Sequence, residues 1–157
     1  MQIASAQVAL LRWAMTQGKA NERVFEEPLE VLAPLLGPEH IDPHLFQLAA
    51  AVHERRATWL LDQRKDPSDA LAKGLGMIAE ALRRNPRMPR AFATRGDLHL
   101  VEARAAKDPK ARQEAARHAK ESFDAALTGS KFLARETEAA RKEVERMLQE
   151  GNQQKNP

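Results

Sequence analysis

Apolar residues recur along this chain at intervals of three and four positions, the spacing that places them on one face of an α-helix. Near the start, Ala4, Val8, Leu11 and Met15 form such a stripe. Alanine, leucine, glutamate, lysine and arginine dominate, while valine, isoleucine and threonine are sparse, so residue propensity favours helix over strand. No segment favours a sheet, and the pattern therefore predicts an all-α fold.

Three Asp-Pro pairs mark helix starts. Asp42-Pro43, Asp66-Pro67 and Asp108-Pro109 each stand directly before a long helix-favouring stretch. Aspartate accepts hydrogen bonds from the first free N–H groups of a helix, and proline loses nothing at the next position, because that N–H has no partner within the helix. Met88-Pro89 supplies the same proline without a capping side chain. With these marks we predict seven helices, near residues 3–17, 21–36, 43–64, 67–84, 89–106, 109–128 and 131–150.

The helices pair into a repeat. Lys65-Asp66-Pro67 recurs as Lys107-Asp108-Pro109, an offset of 42 positions, and each is followed by an apolar-patterned helix that ends in Ala-Leu. Two such helix pairs span residues 43–128. We expect the first two helices to be a diverged pair and the last helix to cover the open face of the stack.

Two regions depart from this regular pattern. Pro28 and Pro34 both interrupt the second helix, and at least one of them should bend or end it. After Gly151 the chain is polar, and residues 151–157 are predicted to form a frayed tail. The remaining residues, 1–150, are predicted to form a single helical-repeat domain.

Composition narrows the classes of function. Cysteine is absent from the 157 residues, which excludes disulfides and thiolate metal sites. No apolar run approaches the length of a membrane span, so we expect a cytoplasmic protein without a membrane partner. The net charge of +3 is unevenly spread, because residues 80–120 carry 11 Lys and Arg against 5 Asp and Glu. The middle of the chain is the basic part.

Several positions in the helix pairs resemble the tetratricopeptide repeat. The positions that match its small and large apolar residues and its closing proline are Ile78, Ala81, Leu82, Pro86, Phe92, Gly96, Ala119, Phe123, Ala126 and Leu127. The match departs from the family in length, since Gly96 and Ala119 stand 23 positions apart, and Thr128-Gly129-Ser130 occupies the place of a closing proline. The resemblance implies a stack of helix-turn-helix repeats, longer than the standard form.

The run from Ala81 to Pro89, followed by Arg95-Gly96, is also similar to repeats found C-terminal to bacterial serine/threonine protein kinases. No kinase motif occurs in the chain itself. The resemblance implies a protein–protein interaction scaffold, a regulatory or docking region of a bacterial signalling protein such as one of these kinases. It would bind a protein or peptide in a groove and would need no cofactor.

In such repeats the successive first helices line a concave face. The family's groove positions fall on Arg55, Trp59, Arg90, Thr94, Asp97 and Val101 in this sequence. The alternative for Trp59 is a place in the core, where large aromatic side chains are common.

A basic cluster surrounds one interhelical turn, and it consists of Arg83, Arg84, Arg87, Arg90 and Arg95. Arg83 and Arg84 would favour the C-terminal dipole of their own helix without any ligand. The others are open to three interpretations: solvated surface, an acidic protein partner, or a nucleic-acid backbone bound by the basic segment 83–120. No aromatic residues alternate with the arginines to stack on bases. We therefore treat Arg90 and Arg95 as candidate partner-binding residues.

Catalytic and metal sites are not expected. Glu39, His40 and His44 are close in sequence, but Pro43 separates a turn from a helix there, and this is not the spacing of two ligands on one helical face. Hydrolysis would need a nucleophile, a base and an orienting acid that converge, whereas each of the few serines is explained as a helix start or a helix-face residue. The chain is predicted not to be an enzyme.

Overall fold

The computed structural model describes residues 21–39 and 42–153. Within these ranges the chain forms six α-helices and one short 3-10 helix, and no strand. They are α1 (Glu22–Leu32), the 3-10 helix (Ala33–Leu35), α2 (Pro43–Asp62), α3 (Ser68–Arg84), α4 (Pro89–Ala105), α5 (Pro109–Gly129) and α6 (Leu133–Gln153). The predicted all-α fold is confirmed. The first predicted helix, near residues 3–17, lies outside the described residues.

The Asp-Pro pairs begin helices by the expected hydrogen bonds. The Asp42 side chain accepts from the His44 backbone N–H at 2.9 Å, and the Asp108 side chain accepts from that of Ala111 at 2.9 Å. Asp66 accepts from the Ser68 N–H at 3.0 Å, and α3 begins at Ser68, one residue later than predicted. Each aspartate satisfies an N–H group that has no partner within its helix.

The two prolines of the second predicted helix have different effects. Pro28 lies inside α1, whereas Pro34 lies in the 3-10 helix that follows it. Ala33 keeps α-helical dihedral angles, but Pro34 has no N–H to donate to the preceding turn. The regular helix accordingly ends at Leu32. At the other end of the chain, α6 continues through Gln153, and residues 154–157 lie outside the described residues.

The chain divides into two compact units, Met1–Pro86 and Arg87–Pro157. In the first unit α2 packs against both α1 and α3. In the second unit α4 packs against α5, and α6 packs against both. The two helix pairs predicted from the 42-residue offset are therefore present, one in each unit. No helix in the described ranges is both long and apolar enough to cross a membrane.

Each unit has its own apolar core. In the first, Leu32, Leu45 and Ala49 form one cluster, and Phe25 packs with Val52 in another. One cluster of the second unit consists of Leu100, Ala103, Ala115, Ala116, Ala119, Phe123 and Val144. Its many alanines let the helix axes approach closely, so that the ring of Phe123 lies directly on the backbone of α4 at Gly96. A Cβ atom at Gly96 would lie only 2.6 Å from the Cε1 atom of this ring.

Candidate partner-binding surfaces

Arg90, Thr94 and Asp97 share one face of α4, as their spacing requires. Thr94 is 6% exposed, and its hydroxyl donates to the Arg90 carbonyl at 3.1 Å. Asp97 is half-buried. The Arg90 guanidinium is exposed, and it donates to the Glu136 carboxylate on α6. Of these three residues, Arg90 is the exposed one.

A second ion pair joins the same two helices. The guanidinium of Arg104 on α4 donates two hydrogen bonds to the carboxylate of Glu143 on α6, at 2.8 and 2.6 Å. This bidentate contact holds the pKa of Glu143 below its usual value. Carboxylates of α6 therefore already neutralise two arginines of α4.

Arg95 lies on a different side of α4 and faces α5. Its Nε donates to the hydroxyl of the buried Ser122 at 3.0 Å, and its guanidinium lies 4.9 Å from the centre of the Phe92 ring. Burial lowers the pKa of Arg95 from its ordinary value. The structure does not bring Arg95 together with Arg90, and the contacts of Arg95 are those of a packing residue between two helices.

Arg55 and Trp59 lie on α2, in the first unit. The Nε of Arg55 is 3.3 Å from a carboxylate oxygen of Glu54. The Trp59 ring packs against Phe25 with ring centres 5.4 Å apart, and the ammonium of Lys65 lies 5.3 Å from its centre. These contacts favour the core interpretation of Trp59 over the groove interpretation.

The basic cluster predicted around residue 85 is largely occupied by internal contacts. Arg83 and Arg84 both donate to Glu80, and these bonds lower the pKa of the Glu80 carboxyl to about 2. Arg84 also stacks its guanidinium 4.4 Å from the centre of the Phe46 ring. Both arginines are therefore explained without a ligand.

An open cleft of about 680 Å³ lies between the N-terminal half of α5 and the C-terminal end of α6. We call it the α5–α6 cleft, and its lining residues are Pro109, Lys110, Arg112, Gln113, Arg117, Met147, Glu150 and Gly151. Pro109 and Met147 supply apolar surface, whereas three basic side chains and one acidic side chain surround it. The cleft therefore joins apolar surface to a net positive charge.

The walls of the α5–α6 cleft are held by specific contacts. Gln113 on α5 donates from Nε2 to the Met147 carbonyl on α6 at 2.6 Å. A Cβ atom at Gly151 would lie 2.1 Å from the amide end of the same glutamine, so a side chain at this position would displace the Gln113 amide. The Arg112 guanidinium donates to the Ala106 carbonyl at 3.0 Å. Lys110 and Arg117, in contrast, form no ion pair with any residue that the structure describes.

Sequence reasoning did not find the α5–α6 cleft, because its two walls are about 30 positions apart in the chain. The available signal was the excess of basic residues in 80–120, to which Lys110, Arg112 and Arg117 belong. Lys110 and Arg117 are seven positions apart and thus share a helical face. The sequence offered no sign that the end of α6 would pack beside that face.

Of the three residues considered for a metal site near residue 40, Glu39 and His44 lie in the described ranges. The His44 ring lies 2.9 Å from its capping residue Asp42, and His40 is outside the described residues. Within residues 21–39 and 42–153, no group of three or more histidine, aspartate or glutamate side chains could hold a metal ion.

No family model, curated protein or solved structure matches this chain. The resemblance to tetratricopeptide repeats therefore stays a prediction. The all-α fold and the two helix pairs rest on the structure itself.

Proposed function

We propose that this chain is a protein-interaction scaffold, and that an acidic segment of a partner protein or peptide binds in the α5–α6 cleft. The observation that carries the proposal is the combination of apolar surface and basic side chains in one concave surface. Its volume of about 680 Å³ is within the usual range for a binding cleft, roughly 300–1,000 Å³. A cleft of this kind accommodates a few side chains of an extended or helical segment.

The charge of the cleft favours an acidic partner. Lys110 and Arg117 are exposed and form no ion pair within the described residues, so their charges are free to meet carboxylates. Opposite charges across an interface speed the encounter and select among partners. In the part of the lining that the structure describes, Glu150 is the single acidic residue, and the surface stays net positive.

The apolar part of the cleft favours a protein segment over a nucleic-acid backbone. Met147 is flexible and polarisable, and methionines of this kind adapt to different apolar side chains. Among the described residues, no aromatic side chain lines the cleft to stack on a base. A partner segment with at least one apolar side chain among its carboxylates would use both parts of the surface.

The face of α4 that carries Arg90 is a weaker candidate. Its two arginines, Arg90 and Arg104, are paired with Glu136 and Glu143 of α6, so an acidic partner would have to displace carboxylates that are already in place. The α5–α6 cleft needs no such exchange at Lys110 or Arg117. Because of these ion pairs, we propose the α5–α6 cleft as the binding site in place of the predicted groove.

We further propose, as the resemblance implies, that the chain is a regulatory or docking region of a larger bacterial signalling protein such as a serine/threonine kinase. The contact between Gly96 and Phe123 supports that resemblance, because both are positions on which it rests. Helical repeats of this kind usually act by binding other proteins.

The test is affinity capture from a lysate of the source organism with three versions of the full chain as bait. They are the unchanged protein, the double variant Lys110→Glu/Arg117→Glu, and the matched control Lys131→Glu/Arg135→Glu, which makes the same charge change at exposed positions away from the cleft. We expect a partner with an acidic segment to be lost from the cleft variant and retained by the control. Equal capture by all three baits argues against the cleft. Capture of nucleic acid instead, with affinity that collapses as salt rises, argues against the scaffold.

A further inference from the structure

Two histidines on neighbouring helices meet at the surface of the second unit. His99 on α4 and His118 on α5 have ring centres 5.2 Å apart, with their planes inclined at 58°. The His99 side chain is 15% exposed, whereas His118 is exposed to solvent. The close packing of α4 on α5 fixes both backbone positions. The two rings are therefore held next to each other.

The distance between the rings suits one shared metal ion. Two imidazoles that bind a tetrahedral ion through nitrogens at roughly 2.0–2.1 Å have ring centres about 5 Å apart. The observed 5.2 Å agrees with this separation. Imidazole nitrogen is a good ligand for zinc, copper and nickel.

The carboxylate of Glu102 determines which ring nitrogen of His99 carries the proton. The Nδ1 of His99 is 2.8 Å from a carboxylate oxygen of Glu102, one helical turn further along α4. An ionised carboxylate can only accept a hydrogen bond, so Nδ1 carries the proton, and in the neutral ring Nε2 keeps its lone pair. This is the arrangement in which a metal-binding histidine is oriented by a carboxylate behind it.

The charges around the pair support a cation. The Glu102 carboxylate lies 2.8 Å from the His99 ring, where it can offset an added positive charge. Arg95, one turn before His99, is occupied by its hydrogen bond to Ser122.

We propose that His99 and His118 bind one divalent transition-metal ion, most simply Zn²⁺, with Glu102 positioning His99 from behind. Since no group of three acidic or histidine ligands occurs in the described residues, water would complete the coordination shell. The bound ion would join α4 to α5 and stabilise the second unit, because only the folded chain brings the two rings together.

The test is calorimetric titration of Zn²⁺ into the full chain without a histidine tag, after removal of metal with a chelator. We expect saturable binding of one ion per chain. His118→Ala, a change at an exposed position, should weaken binding at least about tenfold, and Glu102→Gln should weaken it by roughly 10- to 100-fold while leaving helicity unchanged. The matched control is His44→Ala, which removes an exposed histidine in the first unit and should leave binding intact.

A second readout assigns the ligands. In a heteronuclear NMR spectrum of the histidine side chains, the ring signals of His99 and His118 should shift together on addition of Zn²⁺. Absence of saturable binding, or binding that survives His118→Ala, overturns the proposal. Binding that is lost with His44→Ala also overturns it.

Discussion

At the scale of single residues, Gly96 is a position where the core of the second unit has no room for a side chain. Replacement by alanine would place a Cβ atom 2.6 Å from the Phe123 ring, which lies in a close-packed core. The ring or the helix must then shift, and overpacking of this kind costs about 1–3 kcal/mol. We expect Gly96→Ala to lower the free energy of unfolding by that amount, measured by circular dichroism during urea unfolding.

The matched control for this change is Gly76→Ala. Gly76 is also inside a helix, but no atom lies within 4 Å of a Cβ built there. Alanine has the higher helix propensity, so this variant should be more stable than the parent by up to about 1 kcal/mol. If Gly96→Ala stabilises the protein as Gly76→Ala does, Gly96 and Phe123 are not in close contact.

His53 gives the first unit a dependence on pH. Its side chain is 6% exposed, and Nδ1 has no hydrogen-bond partner among the described residues. Burial, aided by the charges of Lys73 and Arg56, lowers the pKa of His53 from 6.5 to about 4. Between pH 6.5 and pH 4 the unfolded chain binds a proton at His53 that the folded chain does not bind. The free energy of unfolding therefore falls as the pH drops from 6.5 towards 4.

The variant His53→Leu removes this titration and keeps an apolar side chain of similar length in the same space. We expect the urea midpoint of the parent to fall between about pH 7 and about pH 5 by more than that of His53→Leu, since each unit of pKa difference is worth about 1.4 kcal/mol. His44→Ala, at an exposed position, should retain the parent's pH dependence. An identical pH dependence in the parent and in His53→Leu would contradict the assignment.

At the scale of helices, the starts were predictable because their signals are local. Asp42 and Asp108 each cap the first turn of the helix that directly follows them in the sequence. Pro34 ends α1 because of its own ring and its missing N–H. The role of Arg95 was not predictable, since it depends on Ser122 in another helix. Local chemistry sets where helices begin and end, whereas the partner of a side chain depends on tertiary packing.

The cap of α5 can be tested directly. Asp108→Ala removes the acceptor of the Ala111 N–H and should cost about 0.5–2 kcal/mol, and it should speed amide hydrogen exchange in the first turn of α5. Asp108→Asn keeps a capping oxygen and is expected to cost much less. Equal exchange rates in both variants would show that the aspartate does not cap the helix.

At the scale of the whole molecule, the all-α class and the two helix pairs followed from periodicity and from the repeated Lys-Asp-Pro. The proposed binding site could not be predicted from these patterns, because Lys110 and Arg117 acquire a neighbouring apolar surface only when Met147 packs beside them. The predicted groove residues also differ in their own surroundings: Arg90 is exposed, Thr94 is buried, and Trp59 packs against Phe25. A family resemblance can indicate a type of fold, but the site depends on the particular side chains that the fold brings together.

The central claim, that a partner binds in the α5–α6 cleft, is tested most directly by site-specific photo-cross-linking in a lysate of the source organism. A photoreactive phenylalanine analogue is placed either at Lys110, inside the cleft, or at Phe132, which is 97% exposed in the turn at the other end of the two helices. We predict that position 110 cross-links to an acidic segment of a protein and that position 132 does not. Cross-links from position 132 alone, or no protein cross-link from position 110, would contradict the account.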